Sequence, residues 1–382
     1  MVEYLPAVWR GGIRLVSSSM DITRVIEYDS GVSRWYVWLD TVAGDVTPHV
    51  KSGVLKLGEI SINLQQWLGE SPWIYCKLLE DPEEYTEYLR KVIGERIAKK
   101  KILLSYSGGK DSTAALILLL KLLEKVDFHL YVVYTHMPFL EPEGNIKFVE
   151  VVSRRLSVPI TIISPPKRIV RKHLYKEGLP YRRSRWCTYL KTKPIEKYFK
   201  ENDLDIRVIG DRLWEAPKRF CRLLSGLYGE GLLRGKKLFI IAPLTIIDVA
   251  SVVKQHGLVH PDYLRGITRV SCYYCPYKSV FEMYLAKPNV EDEGLIHEVL
   301  KREWSKWYEK YIALEDFIRY HLWRYVPTLA KLILQVKVHA ANSASRLTLD
   351  QIKEYNTYMW LHEVPAVRVK QKSIATFLTP KT

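Results

Sequence analysis

Nine residues, Ser105-Tyr106-Ser107-Gly108-Gly109-Lys110-Asp111-Ser112-Thr113, constrain this 382-residue chain more than any other stretch. The apolar run Ile102-Leu103-Leu104 leads in and reads as a short buried strand. The Ala- and Leu-rich run from Ala114 to Leu123 leads out and reads as a buried helix starting near Asp111 or Ser112. The nine residues therefore lie where a strand turns into a helix. Glycines at 108 and 109 let the backbone turn sharply and bring its N–H groups against an anion. The first turn of the helix adds unpaired N–H groups and the positive end of its dipole. Lys110 supplies a point charge, and Ser107, Ser112 and Thr113 supply hydroxyls. Asp111 is the odd member, since a carboxylate beside a phosphate needs a reason; holding Mg²⁺ is the obvious one. A Gly-Gly turn with an ordinary helix cap is the plain alternative, and the whole string after a buried strand favours the phosphate site.

Strands and helices alternate downstream. Phe128–Thr135, Ile160–Ile163, Asp205–Ile209 and Lys237–Ile241 read as strands; Gly144–Leu156, a basic stretch from Lys167, and Cys187–Glu201 with Pro194 inside read as helices. This pattern predicts an α/β fold built on a doubly wound parallel sheet, with ligands beyond the strands' carboxyl ends. Residues 1–78 differ in texture, with short aromatic and β-branched runs between Gly, Ser and Asp turns, and predict a small β-rich module. Residues 79–100 predict a linker helix, acidic at its start and basic at its end. Residues 101–289 are expected to form the domain that carries the phosphate loop and the cysteine motif, and 290–382 a helical, basic C-terminal region. There, Trp304, Trp307, Tyr308 and Tyr311 form a stripe expected in a core, and Lys331 to His339 could extend a binding face.

Three later segments carry unusual residues. In Gly210-Asp211-Arg212-Leu213-Trp214-Glu215-Ala216-Pro217-Lys218-Arg219, a glycine ends a strand and Arg212 and Arg219 flank Glu215, so forked hydrogen bonds to phosphate or sulfate are expected there. Cys272-Tyr273-Tyr274-Cys275 is a natural chelate, and with Cys187 it makes a three-thiolate set suited to a [4Fe-4S] cluster with one open iron, or to Zn²⁺ with a fourth ligand. Cys221 and His260 are candidates for that fourth place. Cys76 reads as a buried apolar residue.

A charge of +16 favours polyanionic partners, nucleic acid above all. Lys167, Arg168, Arg171, Lys172, Lys176, Arg182, Arg183 and Arg185, interleaved with Tyr175, Tyr181 and Trp186, suit a sugar-phosphate strand whose bases stack. The cysteine count is five and the start lacks a basic-then-apolar leader, so reduced thiols and a cytoplasmic protein are expected. No apolar run approaches the length of a membrane span.

The string SGGKDS resembles the PP-loop of the ATP pyrophosphatases, which split ATP between its α and β phosphates and adenylate an acceptor. Taken in order, SGGKDS, RWCTxxLKxxP, GxRxxExxxR and RxxCxxCP across residues 101 to about 280 resemble the phosphoadenosine-phosphosulfate reductase family within that superfamily. The resemblance implies an adenine nucleotide α-hydrolase-like fold, with phosphate contacts from Ser105 to Ser112 and anion contacts at Arg185, Lys191, Arg212 and Arg219. Two departures separate its branches. Sulfonucleotide reductases lack the full SGGKDS and end in a tail bearing a nucleophilic cysteine, whereas no cysteine follows Cys275 here. The adenylyl-sulfate branch has a Cys-Cys pair whose first member is Trp186 in this chain. The ATP-pyrophosphatase branch, which includes tRNA thiolation and DNA phosphorothioation proteins, is the closer likeness. It implies ATP, Mg²⁺, a nucleic-acid acceptor (tRNA ahead of DNA) and a sulfur-donor protein. Release of sulfite from a sulfonucleotide, and nucleotide-gated RNA binding without turnover, are the competing expectations.

Overall fold

The computed structural model describes residues 4–9, 12–19, 21–57, 60–63, 77–79, 81–182, 184–286 and 288–365. Cys76, Arg183 and the residues after 365 lie outside that set.

Strands β1 (Tyr4–Trp9), β2 (Gly12–Ser19), β3 (Ile22–Glu27), β4 (Ser33–Leu39) and β5 (Val42–Asp45) make an antiparallel meander, and β6 (Val54–Leu57) pairs with β7 (Ile60–Asn63) apart from it. The core strands follow: β8 (Lys101–Tyr106), β9 (His129–Thr135), β10 (Ile160–Ile163), β11 (Ile206–Val208), β12 (Leu233–Arg234) and β13 (Lys237–Leu238). Their order is β10-β9-β8-β11-β13-β12, parallel throughout except for the β12–β13 edge pair. The order reverses between β8 and β11, and at such a switch point the loops diverge and open a crevice at the carboxyl ends. Ser107–Thr113 leaves β8 there, and Gly210–Arg219 leaves β11.

The helix Lys110–Leu123 packs between Pro82–Ile97 and Ile246–Gln255. Leu116, Leu118, Leu119 and Leu122 are all fully buried, which explains a helix that is apolar nearly all round. Truncating one of these leucines to alanine costs about 2–5 kcal/mol by lost transfer energy and residual cavity. The charged helix expected over 79–100 is Pro82–Ile97, capped by the Asp81 side chain on the Glu83 amide. Pro194 lies inside a continuous helix, Trp186–Glu201. The strand expected to reach Ile241 stops at Leu238, where the chain turns so that Ile240, Ile241 and Leu244 enter the core.

The C-terminal region does not stand apart from the first sheet. Strand β14 (Arg346–Thr348) pairs antiparallel with β5, and helices Pro327–Ala341 and Leu349–Leu361 pack on β4 and β1. Between these layers Asp21, Arg324, Lys337 and Tyr325 are all buried. Arg324 and Tyr325 both donate to Asp21, and Lys337 Nζ is 3.4 Å from it and 2.7 Å from the Trp38 carbonyl. Lys337, expected on a binding face, is therefore an internal anchor. Of the aromatic stripe, Tyr308 is buried and Trp304 and Tyr311 pack half-buried against the same cluster, while Trp307 is exposed within a π-helical turn, Trp304–Tyr308.

Candidate nucleotide and thiol site

The loop after β8 holds its own shape. Gly108 has φ +74°, a left-handed conformation that L side chains rarely adopt. The Ser107 amide donates to Ser112 Oγ at 3.2 Å, and the two serine hydroxyls are 3.0 Å apart. The Gly109 carbonyl accepts from Ser112 Oγ and Thr113 Oγ1, each at 3.0 Å, and Tyr106 OH lies 3.0 Å from Thr113 Oγ1. Gly109 is the cap of the helix and has no side chain to occupy its first turn. Ser105 is the penultimate residue of β8, opposite Val133.

A segment that sequence reasoning left out braces the loop from beside it. The Lys110 amide donates to the Tyr263 hydroxyl at 2.8 Å, and Lys110 Nζ lies 5.8 Å from the Tyr263 ring centroid. His260 is buried; its Nδ1 accepts from the Asp262 amide at 3.1 Å, and its Nε2 has no hydrogen-bond partner among the described residues. Burial holds its pKa at about 4, so the ring is neutral. Its Cδ2 edge faces Gly108, where a Cβ would meet Phe148, His260 and Val270 at 3.8–4.0 Å. His260, a candidate fourth ligand for the thiols by sequence, packs against the loop instead. The signal that could have found the segment is His260-Pro261 followed by Tyr263, a buried aromatic just past a proline-started turn.

The charged groups of the crevice meet one another. Arg212, 1% exposed, donates through Nε to Asp111 Oδ1, and Lys110 Nζ is 3.5 Å from Asp111 Oδ2. Burial would raise the Asp111 pKa, but Arg212 and Lys110 outweigh it and hold the carboxyl well below the usual range. A carboxylate so engaged has a reason to stand beside phosphate that requires no metal. The Arg212 amide donates to Glu215 Oε2 at 3.2 Å. Arg219 bonds Glu215 and lies 3.1 Å from Asp211, whose other oxygen accepts from Arg222 at 2.6 Å. Gly210 faces open space.

Cys187, Cys272 and Cys275 come together. Burial, then Cys275, raises the Cys187 pKa; burial pushes Cys272 up to about 12, with Cys275 and Cys187 adding to the rise. The CxxC turn is tied to the loop after β9 by the Tyr273 amide on the Leu140 carbonyl at 2.8 Å. Cys221 is exposed on helix Pro217–Glu230 and is not among the groups that most perturb Cys272. Among the described residues, no three His, Cys, Asp or Glu side chains stand as a formed metal site. The donor chemistry, three half-buried thiols of which Cys187 and Cys272 have raised pKa values, is that of a set that suits a soft cation.

Glu141 is the residue that sequence reasoning missed. Buried on the loop after β9, it accepts from Tyr134 OH at 2.6 Å and from the Met137 amide, Asn145 Nδ2 and Lys191 Nζ, each at 3.0 Å. Burial opposes its charge, but Lys191 and these donors keep its pKa low. Burial likewise opposes the Lys191 charge, but Cys272 and Glu141 favour it, and its pKa lies above the usual lysine value. Lys191 thus joins a carboxylate to a thiol. Arg185 caps helix Trp186–Glu201 and sits 4.8 Å from the Tyr277 ring centroid, with Arg182 at 5.3 Å. Trp186, expected as a stacking ring, is buried against His173.

The chain is similar to several known proteins. An uncharacterized protein of Methanocaldococcus jannaschii is 28% identical over 249 residues, which is 62% of this chain; the chain spans about half (49%) of that relative's length. Among solved structures, the U34-tRNA thiolase NcsA from Methanococcus maripaludis with its [4Fe-4S] cluster has a TM-score of 0.35 at 14% identity, over 67% of this chain and 78% of its own. The phosphoadenylyl-sulfate reductase of Candida auris, a phosphate complex, has 0.33 at 12% identity, over 51% and 89%. The NH3-dependent NAD synthetase of Campylobacter jejuni has 0.33 at 15% identity, over 69% and 96%. Scores of that size place no residue of this chain. Among the described residues no helix is long and apolar enough to cross a membrane. The family described as the phosphoadenosine phosphosulfate reductase domain matches residues 101–278, from the first residue of β8 to three residues past Cys275. The match covers a little under half of the chain, and it is over those residues that the chain is similar to that domain.

Proposed function

We propose that the protein is an ATP pyrophosphatase that adenylates an acceptor in a nucleic acid, tRNA ahead of DNA, for sulfur transfer. The observation that carries this reading is the preformed glycine loop at the switch point, with Lys110 and Arg212 gathered on one carboxylate beside it. With a triphosphate in the crevice, Lys110 and Arg212 would exchange their contacts with Asp111 for contacts with its oxygens, while the loop amides face its β and γ phosphates. An acceptor oxygen then attacks the α phosphorus, the bond to the bridging oxygen of the β phosphate breaks, and pyrophosphate leaves. Positioning and charge stabilisation supply most of the acceleration in such transfers. Mg²⁺, when bound, would neutralise the leaving pyrophosphate, and Asp111, once released by Lys110 and Arg212, is the residue that would hold it. Hydrosulfide, delivered by a donor protein, then attacks the carbon that bears the adenylated oxygen, the C–O bond breaks and AMP leaves.

Cys187, Cys272 and Cys275 would hold a [4Fe-4S] cluster or Zn²⁺, and an open iron would supply a binding place for sulfide. Lys191 would steady the charge of a metal-bound Cys272 thiolate from inside the protein. Arg182 and Arg185 around Tyr277, two residues past Cys275, give the acceptor strand phosphate contacts and a flat ring beside the thiols. Incubation with α-labelled ATP and bulk tRNA, with and without sulfide, tests the reading. AMP and pyrophosphate formation dependent on tRNA is expected. No AMP and no pyrophosphate under any condition overturns it, and sulfite released from adenylyl sulfate would replace it with the sulfonucleotide reductase reaction.

A further inference from the structure

Two helices far apart in the chain bring a pair of imidazoles together at the surface. His49 lies on helix Thr47–Ser52 and His339 in the last turn of Pro327–Ala341. Their Nε2 atoms are 3.4 Å apart, with ring centroids at 5.3 Å and ring planes 65° apart. Contacts beneath hold the two helices in place. Val46, Val50, Val336 and Ala340 share one buried cluster. Gly44 lies so close to the Ala340 carbonyl that a Cβ would fall 1.6 Å from its oxygen, and Lys337 is anchored to Trp38 and Asp21.

At that spacing the rings satisfy each other poorly, because 3.4 Å exceeds the usual 2.7–3.2 Å range of N–H hydrogen bonds. It does suit a shared cation. Two imidazole nitrogens, each about 2.0–2.1 Å from a tetrahedral ion, stand roughly 3.3–3.4 Å apart. Burial, together with His339, lowers the His49 pKa and keeps its lone pair available near neutral pH.

We propose that His49 and His339 form a two-imidazole site for a first-row divalent cation, which clasps helix Thr47–Ser52 to helix Pro327–Ala341. Each ring binds through Nε2 as its Nδ1–H tautomer, so no net proton is released. Among the described residues no third His, Cys, Asp or Glu completes the set. Water fills the remaining positions, and the site is weaker than a closed four-ligand one. The clasp is independent of the crevice and its thiols.

The test is a Zn²⁺ titration of the whole chain, following melting temperature and the imidazole ¹⁵N resonances. Wild type is compared with His49→Ala, His339→Ala and Cys272→Ser. Zinc should raise the melting temperature of wild type and of Cys272→Ser, and this rise should vanish in both histidine variants. The Nε2 resonances of His49 and His339 should move together in wild type. An equal zinc-dependent rise in wild type and His49→Ala, or Nε2 resonances unmoved at saturating zinc, overturns the proposal.

Discussion

The molecule contains the same charge triad twice. In the crevice, Asp111 faces Arg212 and Lys110; between the first sheet and the C-terminal helices, Asp21 faces Arg324 and Lys337. Each is one carboxylate against two cations, with a net positive charge. They differ in what surrounds them. The Asp21 triad is sealed: Asp21 also takes the Tyr325 hydroxyl, Arg324 also gives to the Lys278 carbonyl, and Lys337 to that of Trp38. The Asp111 triad lies at the switch point, and its carboxylate keeps 22% of its side chain exposed against 4% for Asp21. Surplus positive charge that is closed off fixes how layers dock, whereas in the proposed function surplus charge around a solvent-reached carboxylate serves a ligand.

Substitution separates the two roles. Asp21→Asn leaves Arg324 and Lys337 buried without their counter-ion and should destabilise the fold by about 3–5 kcal/mol, read from chemical denaturation. Asp111→Asn should cost less, because a crevice admits water to its partners; an equal loss at both sites would erase the distinction. Lys110→Ala should lower AMP formation by roughly 10²–10³-fold while the protein stays folded, as expected for removal of one transition-state contact. Turnover unchanged by that substitution would detach the crevice triad from chemistry.

Acid should reach the sealed triad in a defined window. Burial alone would raise the Asp21 pKa, but Arg324 and Lys337 bring it from 3.8 to about 2. A depressed carboxyl pKa stabilises the fold above its unfolded value, and that contribution is lost as pH falls from about 4 to 2. It is worth about 2 kcal/mol. Asp21→Asn should flatten this part of the stability profile. The smallest expected effect is on RNA: Arg182→Ala or Arg185→Ala should each reduce the slope of log affinity against log salt by about 0.7, the value for one phosphate contact on a single strand. Unaltered slopes would take the acceptor strand away from Tyr277.

What the sequence disclosed and what it hid follow the same division. The strand–loop–helix junction was legible because its signals are local: an apolar run, two glycines, then Lys110. The alternation behind the parallel sheet was legible for the same reason. Glu141 was not, because its importance lies in Tyr134, Asn145 and Lys191, which only the folded chain brings to it. Lys337 looked like a surface charge at helical spacing, and nothing near it in sequence announces Asp21, more than 300 residues away. Arg212 looked free to bind an anion until the fold put Asp111 against it. The thiols of Cys187, Cys272 and Cys275 were grouped by motif order and do meet, whereas Cys221 and His260, added on residue type alone, went elsewhere.

The hydroxyl web that knits Ser107, Ser112, Thr113 and Tyr106 to the Gly109 carbonyl has a kinetic corollary. A receptor already in its bound shape loses little chain freedom when its guest arrives, so capture should be limited by encounter and desolvation instead of by loop rearrangement. Nucleotide association should then appear as a single phase whose rate climbs in proportion to concentration, with no plateau from a slow folding-over step.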